Sequence, residues 1–338
     1  DKVIVKAKLA EGFGGFSASM FRAEVVSIKR SNDVALEVRD WFSEQVRKVI
    51  DEPAAALGLG FLTGQKQGLP PELEEAMKTA GLTHIIVASG YNLTILVRLA
   101  RRTFARISKY LAALASAGLI SGFMAVTGAS PSMSRAGLVA GLCLVAWYYG
   151  RKFHPLVLLP CAAAITLLAN PTYGWGDLGW QLSFAAFAGV MIVAPLMQAY
   201  FFGSKKPGMI RQIAGETIAA QVATLPILIG AFGQFSNVAL FANLLTVPLV
   251  PLAMLLVFLT GLCAAFILPI AGIIGGGATL LLSYMIAVTN FFASQTWALT
   301  EMTLPWYGIV ISYVVLIGVS GYFWWATRFN LRSANIVE

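Results

Sequence analysis

Acidic side chains almost disappear from this chain after residue 82. Residues 83–338 contain thirteen Lys or Arg but only four acids, whereas residues 1–82 contain eleven basic and twelve acidic residues. Charged residues make up 12% of the whole chain, against about a quarter in soluble domains. This composition excludes an ordinary soluble domain for residues 83–338.

The residues of metal and nucleotide sites are also scarce. His84 and His154 are the only histidines, and the three cysteines lie within apolar runs. No HExxH motif or CxxC pair occurs, and the glycine-rich string at 58–64 lacks the Lys and hydroxyl of a P-loop. We therefore expect no cofactor, metal site, ATP hydrolysis or catalytic centre.

Long apolar runs dominate what is present. The chain is 58% hydrophobic with a mean hydropathy of +0.75, and only helices or closed barrels satisfy the backbone in lipid. Because the runs have helical length, we expect an all-α polytopic membrane protein with about nine segments. These are 83–100, 108–126, 134–150, 155–170, 178–202, 212–231, 238–268, 270–293 and 306–326.

Basic residues predict the orientation of these segments. They cluster in alternate loops, near 98–109, 151–152, 205–211 and 328–332. Lys and Arg favour cytoplasmic loops, so the leader is expected outside and the C-terminus inside. With the two ends on opposite sides, the number of crossings is odd, which requires segment 238–268 to cross the membrane once. A continuous helix of that length overshoots a bilayer core of roughly 30 Å. Pro248 and Pro251 supply a break, which makes this segment a candidate pathway element.

The leader combines strand and helix patterns. Residues 2–9 and 21–30 alternate as strands, which predicts a partial extracytoplasmic β domain at 1–30. A helix from 34 to 50 has an apolar stripe and a charged back, so it either lies in the membrane interface or packs on the β segment. Short helices complete the 31–82 region. Asp1 stands where an initiator Met is expected, so we expect a piece of a longer chain.

Arg135 and Asp177 are the most conspicuous charges in the membrane part. Arg135 is the only basic residue there outside the basic clusters; it either snorkels to the headgroups or faces an internal path that attracts anions. Asp177 is expected to cap the following helix. Gln181 and Ser183, one turn later, are expected to join its polar cluster.

Three further polar residues are candidates for the path. Ser89 and Asn92 flank a glycine within a predicted span, and Asn243 precedes the break at Pro248. Hydrogen bonding between helices is the ordinary explanation for such residues. A path lined by few acids and many uncharged polar groups is compatible with the passage of a polyanion. It is equally compatible with the passage of neutral solutes.

Five segments in order resemble the ComEC family of DNA-uptake channels in natural transformation. They are 11–21 (EGFGGFSASMF), 58–90 (ending THIIVASG), 128–141 (GASPSMSRAGLVAG), 177–184 (DLGWQLSF), and 221–236 with 243–251 (QVATLPILIGAFGQFS, NLLTVPLVP). The first resembles a loop of the family's extracytoplasmic OB-fold. His84, Ser89, Gly90 and Arg135 occupy motif positions, whereas Asn92 stands where the family often has His.

The resemblance implies a transmembrane path for one DNA strand, with Arg135, Asp177, Gln181 and Ser183 near it. It also implies an extracellular DNA receptor, a cytoplasmic helicase-like ATPase as motor, and membrane lipids as surroundings. No metallo-β-lactamase-like domain follows Glu338, so strand degradation is not expected of this chain.

The sequence therefore predicts a non-enzymatic channel in the bacterial inner membrane. Residues 83–328 form the channel domain and 329–338 a cytoplasmic tail. A transporter or flippase for a small solute or lipid, or a membrane anchor for soluble domains, stays open as an alternative. The channel hypothesis requires the kinked segments to enclose a hydrated tunnel that reaches Arg135.

Overall fold

The structure is a computed structural model, and its fold is mainly helical. It describes residues 2–11, 18–29, 34–65, 68–86, 90–128, 131–151, 154–203 and 207–331. Six helices in these ranges are long and apolar enough to cross a membrane. The predicted class, a helical membrane protein, is thereby confirmed.

The elements follow one another along the chain with short connections. The leader contains β1 (Lys2–Glu11), β2 (Ala18–Lys29), α1 (Val34–Arg47), α2 (Ala54–Thr63), α3 (Pro71–Thr79) and α4 (Thr83–Ile86). The first membrane half contains α5 (Gly90–Phe104), α6 (Lys109–Thr127), α7 (Pro131–Tyr148), α8 (Pro155–Ala169), α9 (Tyr173–Gly176), α10 (Leu178–Ala188) and α11 (Ala194–Phe202). The second contains α12 (Met209–Phe232), β3 (Gln234–Ser236), α13 (Ala239–Thr246), α14 (Val250–Phe266), α15 (Leu268–Ala293), β4 (Leu299–Glu301) and α16 (Trp306–Thr327).

Each of the nine predicted segments contains a helix, but their lengths differ. The six candidate spans are α6, α10 continued into α11, α12, α13 continued into α14, α15 and α16. The helices α7 and α8 are apolar but shorter. The count of nine crossings stays a prediction, because α5, α7 and α8 are not among the six.

The predicted strands of the leader form one antiparallel hairpin. Lys2 pairs with Lys29 and Glu11 pairs with Ala18, with two register shifts between them. Two strands alone do not make a stable domain in water. The hairpin confirms the strands, while their assignment to an OB-fold stays a prediction.

The helix α1 packs against the membrane helices. Phe42 stacks on Phe258 of α14 with 6.2 Å between the ring centroids, and Val46 is fully buried. Gly261 of α14 lies directly against both side chains. The later part of the apolar stripe of α1 therefore packs on α14, a contact that the sequence did not predict, whereas Val34, Val38 and Trp41 are exposed.

The predicted break in segment 238–268 is present. A 3-10 turn at Val247–Leu249 separates α13 from α14. Proline has no amide hydrogen and disrupts the preceding turn of a helix, so Pro248 and Pro251 explain why the helix changes here. The interruption predicted from the two prolines is confirmed.

Strands β3 and β4 join two distant loops. Gln234 pairs with Glu301 and Ser236 with Leu299, and Asn237 Nδ2 donates to the carbonyl of Trp297 at 2.8 Å. Both loops must lie on the same face of the membrane, so an even number of crossings separates them. One crossing by α13 and α14 and one by α15 meets this requirement, which supports a single crossing for 238–268.

The buried apolar side chains form several clusters. The largest joins α1, α2 and α3 to α13, α14 and α15. A second joins α5, α6 and α7, and a third brings α8 and α10 together with α7. The helix α7 thus belongs to two clusters, and it carries Arg135.

Three pairs of glycines stand four residues apart in the sequence, at 118/122, 137/141 and 272/276, a spacing that predicts close contacts between membrane helices. Of these six glycines only Gly137 packs closely, against Met124. A side chain at any of the other five would meet open space, so the predicted contacts are mostly wrong. Close helix approaches occur instead at Gly189, which faces the backbone of Ala219, and at Gly261. The spacing of glycines did not show which face each helix buries.

Candidate functional site

Arg135 lies in the second turn of α7 and is buried. Pro131 begins this helix, a position where its missing amide hydrogen costs nothing. The Arg135 residue is only 2% exposed. This burial favours the alternative in which Arg135 faces the protein interior, because a snorkelling guanidinium reaches the headgroups.

The guanidinium of Arg135 connects α7 to the start of α10. Its Nη2 donates to the carbonyl oxygen of Gly179 at 2.8 Å, and its Nη1 lies 3.8 Å from Oδ2 of Asp177. Within the described ranges, Nε and Nη1 are buried without a hydrogen-bond acceptor. Buried donors are normally hydrogen-bonded. The guanidinium of Arg135 can therefore still donate hydrogen bonds to an anion or to water.

Asp177 has two roles in this geometry. Its Oδ1 accepts a hydrogen bond from the backbone N–H of Trp180 at 3.0 Å, which confirms the predicted helix cap. Its other oxygen faces Arg135, and its side chain is 28% exposed. The carboxylate therefore stabilises the start of α10 and supplies the countercharge of the buried arginine.

Two further hydrogen bonds fix the start of α10. Gln181 Nε2 donates to the carbonyl oxygen of Gly174 in α9 at 3.0 Å, and Trp180 Nε1 donates to Oγ1 of Thr166 in α8 at 2.9 Å. The side chain of Gln181 therefore bonds to α9, and its membership of a polar cluster with Asp177 stays a prediction. Trp180 and Thr166 were not predicted, although a buried indole N–H requires an acceptor.

Ser183 follows Gly179 by one helical turn. Residues four apart share a helix face, so Ser183 lies on the side of α10 that carries the Arg135 contact. Its hydroxyl is partly exposed and forms no hydrogen bond within the part of the chain that is described. Ser183 therefore shares a helix face with the Arg135 contact, and a hydrogen bond between Ser183 and the polar cluster stays a prediction.

The other predicted pathway residues occupy different helix contacts. Asn92 in α5 is fully buried, and its Nδ2 donates to the carbonyl oxygen of Phe61 in α2 at 3.0 Å. Asn243 in α13 is 3% exposed. Ser89 lies outside the described residues. Neither Asn92 nor Asn243 is among the partners of Arg135 given above, and their role in a path stays a prediction.

A small cavity lies between α5, α7 and α10. It has a volume of about 40 Å³, and its lining includes Arg98, Arg101 and Phe187. Phe187 follows Ser183 by one turn on α10, so the seam between α7 and α10 runs from Arg135 to this cavity. The α7 part of the lining extends from Ala136, next to Arg135, to Leu144.

The hydrated tunnel expected from the sequence is not open at Arg135. Among the described residues, the 2% exposure of Arg135 leaves no solvent-filled cleft at its guanidinium. A DNA strand could pass here only after α7 and α10 separate. Within the ranges described, no three His, Cys, Asp or Glu side chains lie close enough to bind a metal ion.

Comparisons with known proteins identify the family. The family described as Competence protein matches residues 61–327. ComE operon protein 3 of Bacillus subtilis (strain 168) is 27% identical over 210 residues, which are 60% of this chain and 26% of that protein. An uncharacterized protein of Aquifex aeolicus (strain VF5) is 26% identical over 217 residues, 64% of this chain and 49% of that protein.

These curated relatives are longer than the chain. The aligned part spans about a quarter of the first and about half of the second. No solved structure matches the chain. Since the family match covers most of the residues and includes Arg135 and the start of α10, this chain belongs to the Competence protein family.

Proposed function

We propose that this chain is the membrane domain of a channel that carries single-stranded DNA across the bacterial inner membrane during natural transformation. Membership of the Competence protein family supports a role in DNA uptake. The six candidate spans support a membrane location. The proposal assigns transport to this chain, and it assigns no catalytic step.

The observation that carries the proposal is the buried guanidinium of Arg135. A charged side chain among membrane helices is costly and usually marks a functional path. Asp177 compensates the charge at 3.8 Å, but Nε and Nη1 have no acceptor within the described ranges. Phosphate oxygens are strong acceptors for a guanidinium, so a DNA backbone has the chemistry that this site lacks.

Passage of a strand requires the contacts between α7 and α10 to open. A phosphate that reaches Arg135 competes with Gly179 and Asp177 for the same guanidinium. Release of these contacts lets the two helices separate. Gln181 and Ser183 then offer uncharged hydrogen-bonding groups, which hold a polyanion weakly enough for it to move on.

The partners and the orientation are part of the proposal. We place the leader and the loops with β3 and β4 outside and the basic loops in the cytoplasm. A DNA receptor outside and a helicase-like ATPase inside complete the system, since the sequence has no P-loop of its own. Ser89, Asn92 and Asn243 are proposed as further pathway residues.

An uptake assay tests the channel. Transformable cells carry the full-length gene with Arg135→Gln, and uptake of labelled DNA is compared with wild type and with a deletion. We expect a loss of roughly ten-fold or more, the size of one charge-assisted hydrogen bond. The exposed Arg151, just beyond the other end of α7, provides the matched control, and Arg151→Gln is expected to keep uptake.

A binding measurement separates contact with DNA from a structural role. For single-stranded DNA, a plot of the logarithm of the binding constant against the logarithm of the salt concentration has a negative slope. Removal of one phosphate contact makes this slope shallower by about 0.7. We expect this change for the full-length Arg135→Gln protein in nanodiscs, and none for Arg151→Gln. Wild-type uptake by Arg135→Gln at normal abundance removes Arg135 from the path, and normal uptake by the deletion strain contradicts the function.

A further inference from the structure

The cavity between α5, α7 and α10 has a basic end and apolar walls. Arg98 and Arg101 contribute the charge, and Thr94 adds a hydroxyl. Most of the remaining lining is apolar, with Phe187 as its aromatic side chain and Cys143 as its thiol. Neither arginine takes part in the Arg135 contacts described above, so the basic part of the cavity is distinct from them, although the lining extends along α7 to Ala136.

The arginines lie beside an aromatic and basic cluster typical of a membrane interface. The guanidinium carbon of Arg101 lies 5.0 Å from the ring centre of Trp147. Nζ of Lys109 lies 6.0 Å from the same ring and 5.6 Å from that of Tyr148. Trp and Tyr concentrate at the level of lipid headgroups. This end of the cavity therefore lies where headgroup phosphates are present.

We infer that this cavity binds the phosphate group of an anionic phospholipid through Arg98 and Arg101. Basic pockets between membrane helices are known to take anionic headgroups. The Nε of Arg98 is buried without an acceptor in the described part of the chain. A phosphate oxygen supplies that acceptor.

The size of the cavity favours a lipid headgroup over DNA. Its volume of about 40 Å³ corresponds to roughly three water molecules. This room accepts phosphate oxygens but not a nucleobase. Single-strand sites also combine a basic track with several stacking aromatics, whereas this lining has one aromatic ring and two cations at one end. The lipid phosphate is thus placed beside Arg98 and Arg101, whereas the DNA contact is proposed at Arg135.

Native mass spectrometry of the full-length protein tests the site. The protein in neutral detergent is titrated with phosphatidylglycerol and with phosphatidylcholine. Wild type is expected to bind one phosphatidylglycerol at least ten-fold more tightly than phosphatidylcholine. Arg98→Gln is expected to weaken this binding roughly ten-fold, the effect of one lost charged hydrogen bond. The exposed neighbour Arg102 is the control, and Arg102→Gln is expected to change nothing.

A second measurement does not depend on Arg98→Gln folding normally. In a Cys161→Ser, Cys263→Ser protein, Cys143 is the remaining thiol of this chain, and its alkylation rate reports access to the cavity. Phosphatidylglycerol is expected to slow alkylation at least five-fold, whereas phosphatidylcholine and inorganic phosphate are not. Equal rates with both lipids overturn the inference, as does equal lipid binding by Arg98→Gln. Protection by an oligonucleotide but not by phosphatidylglycerol assigns the cavity to DNA and also overturns it.

Discussion

At the scale of the residue, the pair Arg135 and Asp177 shows how one carboxylate serves two purposes. Asp177 caps α10 through Oδ1 and faces the guanidinium of Arg135 through Oδ2. A cap requires only a side-chain oxygen, whereas the countercharge requires an ionised group. The two roles can therefore be separated by substitution.

Asp177→Asn and Asp177→Ala are expected to differ in stability. Asn caps a helix about as well as Asp, whereas Ala loses about 1 kcal/mol at a cap. Both variants remove the countercharge, so Ala is expected to lower the free energy of unfolding by about 1 kcal/mol more than Asn. Chemical unfolding in detergent measures the difference. Equal losses would show that the cap contributes nothing to the start of α10.

At the scale of the element, glycine determines how closely the leader approaches the membrane helices. Gly275 of α15 lies against Val49, just after α1, and against Thr260 of α14. The next residue, Gly276, faces open space. Two adjacent glycines of one helix therefore differ only in the face they occupy, and they form a matched pair.

Gly275→Leu is expected to displace the turn after α1. A larger side chain in a packed contact typically costs 1–3 kcal/mol, so we expect a destabilisation of about 2 kcal/mol. Gly276→Leu is expected to leave stability unchanged or to raise it slightly, because Leu favours a helix by up to about 1 kcal/mol over Gly. Thermal unfolding and trypsin cleavage near Arg47 are the measurements. Similar effects of the two substitutions would refute the contact between Val49 and α15.

At the scale of the whole molecule, the pairing of β3 with β4 limits the membrane topology. The strands follow α12 and α15, and their hydrogen bonds require both loops on one face. The basic residues near 205–211 and 328–332 lie at the opposite ends of the neighbouring helices. Positive loops favour the cytoplasm, so the face that carries β3 and β4 is expected to be external.

Reporter insertion tests this orientation. Green fluorescent protein fused after Arg328 is expected to fluoresce, because that site lies in the cytoplasm in the proposed topology. Alkaline phosphatase inserted after Ser294 is expected to be active, since it requires an extracytoplasmic location. The control exchanges the two reporters between the sites. Green fluorescent protein after Ser294 and alkaline phosphatase after Arg328 are both expected to give no signal. Activity of alkaline phosphatase at both sites would contradict the crossing assigned to α16.

The sequence by itself determined the class of the protein and the places where its helices begin and break. Long apolar runs permit only a membrane fold, and local chemistry decides a cap at Asp177 or an interruption at Pro248. Arg135 could be singled out because a lone charge in an apolar region is conspicuous. These features depend on neighbours in the chain, so the sequence is enough to predict them.

Only the tertiary structure decided which helix faces meet. Most spans are apolar on every side, because lipid and protein interiors both accept apolar side chains. The pattern therefore did not predict that α1 packs on α14 or that Gly118 and Gly122 face open space. It also did not predict that Arg135 donates a hydrogen bond to the carbonyl of Gly179. Asn92 likewise bonds to a carbonyl 31 positions away in sequence, a distance at which no local pattern carries information.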